Sequence, residues 1–288
     1  MATNMHLNPL SSEIGTEVTG LDLSEPVDPD VLGRLEIALE QTGLLVFRDQ
    51  NLTPTQHAAF SRRFGDLEVY PMRQFTLPDA PEVLIISTVI ENGEPIGVVD
   101  AGLYWHTDSS WRPVPSLGSL LYARELPAEG GDTLFVDQHK VYEALPDDLK
   151  GRIKGLTGVH DYARRNMILS SKPGGRPALT EEQRKATPPA THPLVCRHPR
   201  TGRPHLYINE GFVFRIAELS EDESAELLSY LFAFSTSSRF VYRHKWKDND
   251  LVFWDNRSGL HCGDGCPPGQ RRTMHRTTIK GEAPVAFV

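Results

Sequence analysis

The chain has 288 residues, 39% hydrophobic and 24% charged, with a net charge of -8. That composition supplies a substantial core, and the acidic balance argues against nucleic acid as a partner, which demands a basic surface. Three cysteines, Cys196, Cys262 and Cys266, build no disulfide framework and suit a reducing cytoplasm. No signal peptide is expected in Met1 to Gly15, and no aliphatic run is long enough to span a bilayer, so no membrane partner is expected.

In chain order, Leu21 to Phe47 reads as a strand, a helix and a strand. Asp28-Pro29 is a helix start, because Asp caps free amides and Pro suits the first turn. Leu32, Leu35 and Leu39 then share a face, and Gly43 stops the helix. Thr53-Pro54-Thr55-Gln56 has capping-box spacing and opens a second helix ending near Gly65. Strands are expected at Val83 to Thr88, Ser119 to Ala123, His205 to Asn209, Phe240 to Trp246, Leu251 to Trp254 and Thr273 to Lys280. A third helix starts at Ser220, with Glu223 three residues on. Many short strands with few helices predict a mainly β fold, a sandwich or jelly roll with flanking helices, in one domain over 1–288. The Pro-, Lys- and Arg-containing stretch within 161–190 is expected to be a mobile lid.

Trp105-His106-Thr107-Asp108 carries the chemistry. In an extended segment, residues two apart point to one side, so His106 and Asp108 can share a metal ion. Alone, His-x-Asp is common by chance, and its bland reading is a surface His beside a turn Asp. A third ligand must come from elsewhere. Near the C-terminus a strand, Leu251 to Trp254, runs into a polar turn followed by His261. Two histidines and one carboxylate leave open coordination positions, the pattern of non-haem iron(II) oxygenases. Arg272 and Arg276, four residues apart, can face one side of a strand and bind carboxylates bidentately, as Lys cannot.

These residues resemble the TauD/TfdA family of 2-oxoglutarate-dependent dioxygenases. The similarity also runs through Gly43-Leu44-Leu45-Val46-Phe47-Arg48, Phe60-Ser61-Arg62-Arg63-Phe64-Gly65, Gly130-Gly131-Asp132-Thr133 and Trp254-Asp255-Asn256-Arg257. Tyr242-Arg243-His244-Lys245-Trp246 is closer to the phenoxyacetate branch than to the taurine branch. The resemblance implies a double-stranded β-helix and iron(II) held by His106, Asp108 and His261. It implies 2-oxoglutarate and dioxygen as cosubstrates, with Thr133 and Arg272 on 2-oxoglutarate. Arg276 would stand between cosubstrate and an anionic prime substrate such as a carboxylate, sulfonate or aryloxyalkanoate, whose hydroxylation can end in C–O, C–S or C–N cleavage. Related halogenases replace the carboxylate ligand with a small residue; Asp108 therefore implies hydroxylation. Dimers or tetramers are usual in the family.

Tyr70 and Arg73 fall where the family places substrate contacts, although a core Tyr and a surface Arg would look the same. Tyr104 faces either the cavity or the sheet interior. Gly102 stands where taurine enzymes carry Asn, which puts a taurine pocket in doubt. His139, His160, His192, His198, His205, His244 and His275 read as structural or surface groups. Arg164 and Arg165 are either anion contacts or a solvated basic face. Cys262 and Cys266 lack the second Cys pair of a zinc site. The competing accounts are a divalent-metal hydrolase using the same triad and a catalytically silent jelly-roll binding protein.

Overall fold

The computed structural model describes residues 5–70, 72–99, 101–172 and 176–288. Its centre is an eight-stranded sheet, ordered His6–Pro9, Thr16–Thr19, Leu44–Phe47, Leu251–Asp255, Ser116–Glu125, Thr273–Lys280, Ala80–Ser87 and Thr76–Leu77. All its pairings are antiparallel except Thr16–Thr19 with Leu44–Phe47. Those two parallel strands are joined through the helix Pro29–Thr42, as a parallel pair requires a crossover. A three-stranded sheet, Tyr242–His244, Thr133–Asp137 and Gly259–Gly263, carries one metal-site strand. Two further three-stranded sheets complete the jelly-roll body. Among the described residues no helix is long and apolar enough to cross a membrane.

Period-two alternation sorts the large sheet into two faces. Leu45, Phe47, Leu120, Tyr122, Leu251 and Phe253 pack beneath the helices with Leu32, Leu35, Leu39 and Phe60. Leu44, Val46, Leu121, Ala123, Val252, Trp254 and Met274 face the other way, onto Phe135 of the small sheet. The first face is the structural core. Its deepest residues, such as the fully buried Leu35, each contribute about 1.5–3 kcal/mol. The second face becomes the wall of the site.

The helix ends follow the sequence chemistry. Asp28 accepts from Asp30 N–H, and Gly43 closes the helix at φ 71°. Thr53 with Gln56 and Ser220 with Glu223 form reciprocal capping boxes, and such caps are worth about 1 kcal/mol each. The strand expected from Leu21 before the first helix lies instead at Thr16–Thr19, because Leu23 N–H is taken by the Gln50 side chain instead of a ladder partner. The strands expected at 205–209 and 240–246 shorten to Pro204–Leu206 and Tyr242–His244. Four helices arise that periodicity did not announce: Gln138–Ala144, Asp147–Ile153, Tyr162–Ser170 and Glu181–Ala186. The last two occupy the expected lid stretch, of which 173–175 lie outside the described residues.

Candidate metal centre and its two cavities

His106 and Asp108 do not sit in a strand. A single β-bridge pairs His106 with His261, each backbone N–H donating to the other's carbonyl at 3.0 Å. The chain then turns at once, with Ser109 at φ 56°, in a region that non-glycine residues seldom adopt. The reciprocal bridge fixes two imidazoles side by side, ring centroids 4.1 Å apart. Asp108 Oδ1 lies 3.6 Å from His106 Nε2, and Asp108 Oδ2 lies 3.8 Å from His261 Nε2. These separations exceed a hydrogen bond, and the three ligand atoms all fall within 4.8 Å of one another. It is the one such group of three among the described residues.

Protonation suits a cation. His106 Nδ1–H donates to the Tyr104 carbonyl at 2.8 Å, which orients the ring with Nε2 facing Asp108. Burial opposes a charge on Asp108, yet the Arg276 guanidinium and His261 hold its carboxyl well below the usual range. Burial, reinforced by His106, pushes His261 well below the usual imidazole range and keeps it neutral. Two imidazoles, that of His261 kept neutral, and a buried carboxylate converge, the donor set of a divalent metal. Among the described residues, His261 Nδ1 is buried without a partner.

Two cavities meet at this point. One, of about 240 Å³, is lined by Thr133, Arg272, Arg276, Leu121, Trp254 and His261. Arg276 shares a face with Met274, whose side chain packs in the core toward the cavity. Arg272 precedes the strand Thr273–Lys280, its backbone exchanging hydrogen bonds with Thr88. Its Nε–H donates to the Gly131 carbonyl at 3.2 Å. Gly131, at φ 73°, permits this approach, since a Cβ there would lie 3.1 Å from Arg272 Cδ. Among the described residues Arg272 has no carboxylate partner, and burial lowers it to about 10. A half-buried guanidinium without a carboxylate partner calls for an anion. Thr133, buried beside it, accepts from Trp246 Nε1–H at 3.0 Å.

The other cavity, of about 150 Å³, holds Asp108, Tyr70, Tyr104, Trp111, Tyr162 and Phe212. Gly102, His106 and Arg276 border both cavities. Its aromatic wall is continuous: Tyr104–Phe212 at 6.0 Å, Phe212–Tyr162 at 6.4 Å and Tyr162–Trp111 at 4.7 Å. Two carboxylates also line it, Glu68 paired with Arg112 at 2.6 Å and Glu82 paired with Arg62.

Tyr70 and Tyr104 are thus brought to this cavity and Arg73 is not: it is exposed, in the turn Arg73–Phe75, its charge acting on Glu82. Arg165 is no solvated face. It is buried, donates to the Glu210 and Gly211 carbonyls, and lies 4.5 Å over the Tyr104 ring, pressing Tyr104 toward His106. Sequence reasoning missed the partners of Asp108. Ser119 Oγ donates to Asp108 Oδ2 at 2.8 Å and Asn256 Nδ2 at 3.3 Å. Asn256 stood within the quoted Trp254-Asp255-Asn256-Arg257 motif, but only the fold shows what it holds.

The profile of the "Taurine catabolism dioxygenase TauD, TfdA family" matches residues 6–278. Pentalenolactone F synthase of Streptomyces avermitilis is 35% identical over 92% of this chain and 90% of its own length. The alpha-ketoglutarate-dependent 2,4-dichlorophenoxyacetate dioxygenase of Cupriavidus pinatubonensis is also 35% identical, over 96% and 98%. The crystal structure of AAD-2 in complex with Mn(II) and N-oxalylglycine superposes with a TM-score of 0.81 at 31% identity, covering 98% of this chain and 100% of that one. By sequence, by fold and by the residues gathered at its centre, the chain belongs to the TauD/TfdA dioxygenase family.

Proposed function

We propose that this 2-oxoglutarate-dependent dioxygenase hydroxylates a small anionic organic molecule in the 150 Å³ cavity, with iron(II) held by His106, Asp108 and His261. The carrying observation is the meeting of two cavities at one triad, with an anion-demanding arginine in the first and an aromatic wall in the second. Bound iron(II), with 2-oxoglutarate and dioxygen, supplies the oxidising equivalents. The protein's residues do the rest. Arg272 and the Thr133 hydroxyl hold the far carboxylate of 2-oxoglutarate, a charge-assisted contact in a dry site. Arg276, between the cavities, orients an acidic substrate while neutralising Asp108 at 3.2 Å. Tyr70 and Tyr104, with the rest of the aromatic wall, receive a flat or apolar substrate body and exclude water.

The acid is a carboxylate, a sulfonate or an aryloxyalkanoate. Relatives at 35% identity are named for compounds as different as pentalenolactone F and 2,4-dichlorophenoxyacetate. A hydrolase would leave Arg272 without an anion to bind, and a silent binding protein would not need an open metal triad. The chain acts as one domain, with the stretch 161–190 as a lid; Tyr162 and Arg176 from that stretch border the cavity. A cytoplasmic homo-oligomer belongs to the same proposal; the three free thiols suit a reducing compartment.

Anaerobic titration of the apo protein with iron(II) and 2-oxoglutarate tests this directly. A weak visible charge-transfer band should appear and be lost in His106→Ala. Substrate-dependent succinate release should then follow with acidic substrates. Folded protein that shows no band would return the hydrolase and binding-protein accounts.

A further inference from the structure

We infer that Trp246 is a positioning residue for 2-oxoglutarate, setting the direction in which the Thr133 hydroxyl donates its proton. Trp246 borders neither cavity; it stands behind Thr133, half-buried against the core beneath the site. Its indole N–H can only donate, and it donates to Thr133 Oγ1 at 3.0 Å. A hydroxyl has one proton, and among the described residues Thr133 Oγ1 has no acceptor for it. The proton is therefore turned away from Trp246, toward the cavity that it shares with Arg272. Without the indole donor, the hydroxyl would be free to rotate and to present a lone pair to the incoming carboxylate.

Trp246 is itself held. The edge of its ring meets His244, centroids 4.6 Å apart at 85°. His244 Nε2 lies 3.2 Å from Asp250 Oδ2, and that same oxygen is 2.5 Å from Arg48. Lys247 N–H also donates to Asp250 Oδ2, at 2.9 Å, which closes the turn just beyond Trp246. The fully buried Asp250 thus anchors the segment from both sides of the indole. This rigidity is what a polarity-setting donor needs, because a hydroxyl oriented before binding loses less freedom when the anion arrives.

The inference rests on the proposed reading of Thr133 and Arg272 as the 2-oxoglutarate site. The test is a double-mutant cycle on the iron(II)-loaded full chain, held anaerobic, with 2-oxoglutarate affinity read by the visible band and by calorimetry. Trp246→Phe keeps the ring and removes the donor; it should raise the 2-oxoglutarate Kd about 3- to 10-fold and leave iron affinity unchanged. Thr133→Val should weaken binding as well, and adding Trp246→Phe to it should have no further effect. A Trp246→Phe Kd equal to wild type overturns the inference, as does the same fold-loss in both backgrounds, which marks a packing role. Arg272→Leu losing affinity in the same series would leave the cosubstrate site standing while the inference falls. Wild type that binds no 2-oxoglutarate overturns both together.

Discussion

Asn256 grips Asp108 from two directions: its side-chain carbonyl accepts the Asp108 backbone N–H at 3.2 Å, and its amide donates to the Asp108 carboxylate at 3.3 Å. The same carbonyl accepts the Trp254 indole N–H at 3.0 Å, so the amide cannot flip without losing bonds at both ends. The carboxylate of Asp108, on a turn and not in a strand, is thereby held beside the two histidines. Replacing Asn256 with Ala should weaken iron(II) binding about 10- to 100-fold, measured by anaerobic titration, with the far-ultraviolet circular dichroism unchanged. Wild-type iron affinity in the variant would show that Ser119 alone suffices.

Arg272 meets the cosubstrate by charge, and only the planar guanidinium reaches the Gly131 carbonyl and an anion together. We expect Arg272→Leu to raise the 2-oxoglutarate KM on the order of 10- to 100-fold, with kcat at saturation changed far less. Arg272→Lys should recover only part of the loss. Full recovery by lysine would make the site a point-charge trap rather than a bidentate clamp.

Arg276 has two duties that separate kinetically. Arg276→Ala should raise the KM for an acidic prime substrate about 10-fold or more and, by unpairing Asp108, also weaken iron binding. A KM unchanged at saturating iron would remove Arg276 from substrate recognition.

Gly102 sits at φ 72°, and a Cβ there would stand 2.7 Å from His106 Cε1. Gly102→Ala should therefore displace the imidazole and lower iron affinity. Its stability should fall only modestly, by the strain of one left-handed residue, about 1–2 kcal/mol. Undiminished iron affinity would mean that the backbone moves instead of the ring.

Stability should fall with acid well before the carboxylates titrate. Burial lowers His57 and His205 to about 3, and His139 and His275 to about 4. Between these values and the unfolded value near 6.5, the unfolded chain binds protons that the folded chain refuses, so stability rises with pH there. Each such histidine contributes about 1.4 kcal/mol per pH unit within its window. Asp137 acts oppositely: burial raises it to about 6, so its contribution is present at low pH and lost as pH rises through about 6. It offsets one histidine between about pH 4 and 6. Urea unfolding of the apo protein from pH 7 to 4.5 should show the net loss, and His57→Gln should flatten the slope. A flat profile in the wild type would show that these histidines are already charged.

The ligand types, the arginine pair and the caps of three helices were legible in the sequence because each depends on residues a few positions apart. Asp28 reaches Asp30, and Ser220 reaches Glu223, whatever the rest of the chain does. The strand that ends at Phe47 was likewise legible from its own run of apolar residues. The contacts that complete the site span much longer separations: 148 residues between Asn256 and Asp108, and 113 between Trp246 and Thr133. No local propensity encodes them, because they form only when segments distant in the chain close on one another: Thr133 pairs with His244 inside the small sheet, and Asn256, at the end of Leu251–Asp255, meets the turn that carries Asp108. That closure also decided that Tyr70 and Tyr104 reach the cavity while Arg73 stays outside with Glu82, and it drew Arg165 inward beneath Tyr104. Sequence set the chemistry of the groups; burial and long-range packing decided which of them face the metal and which way their protons point.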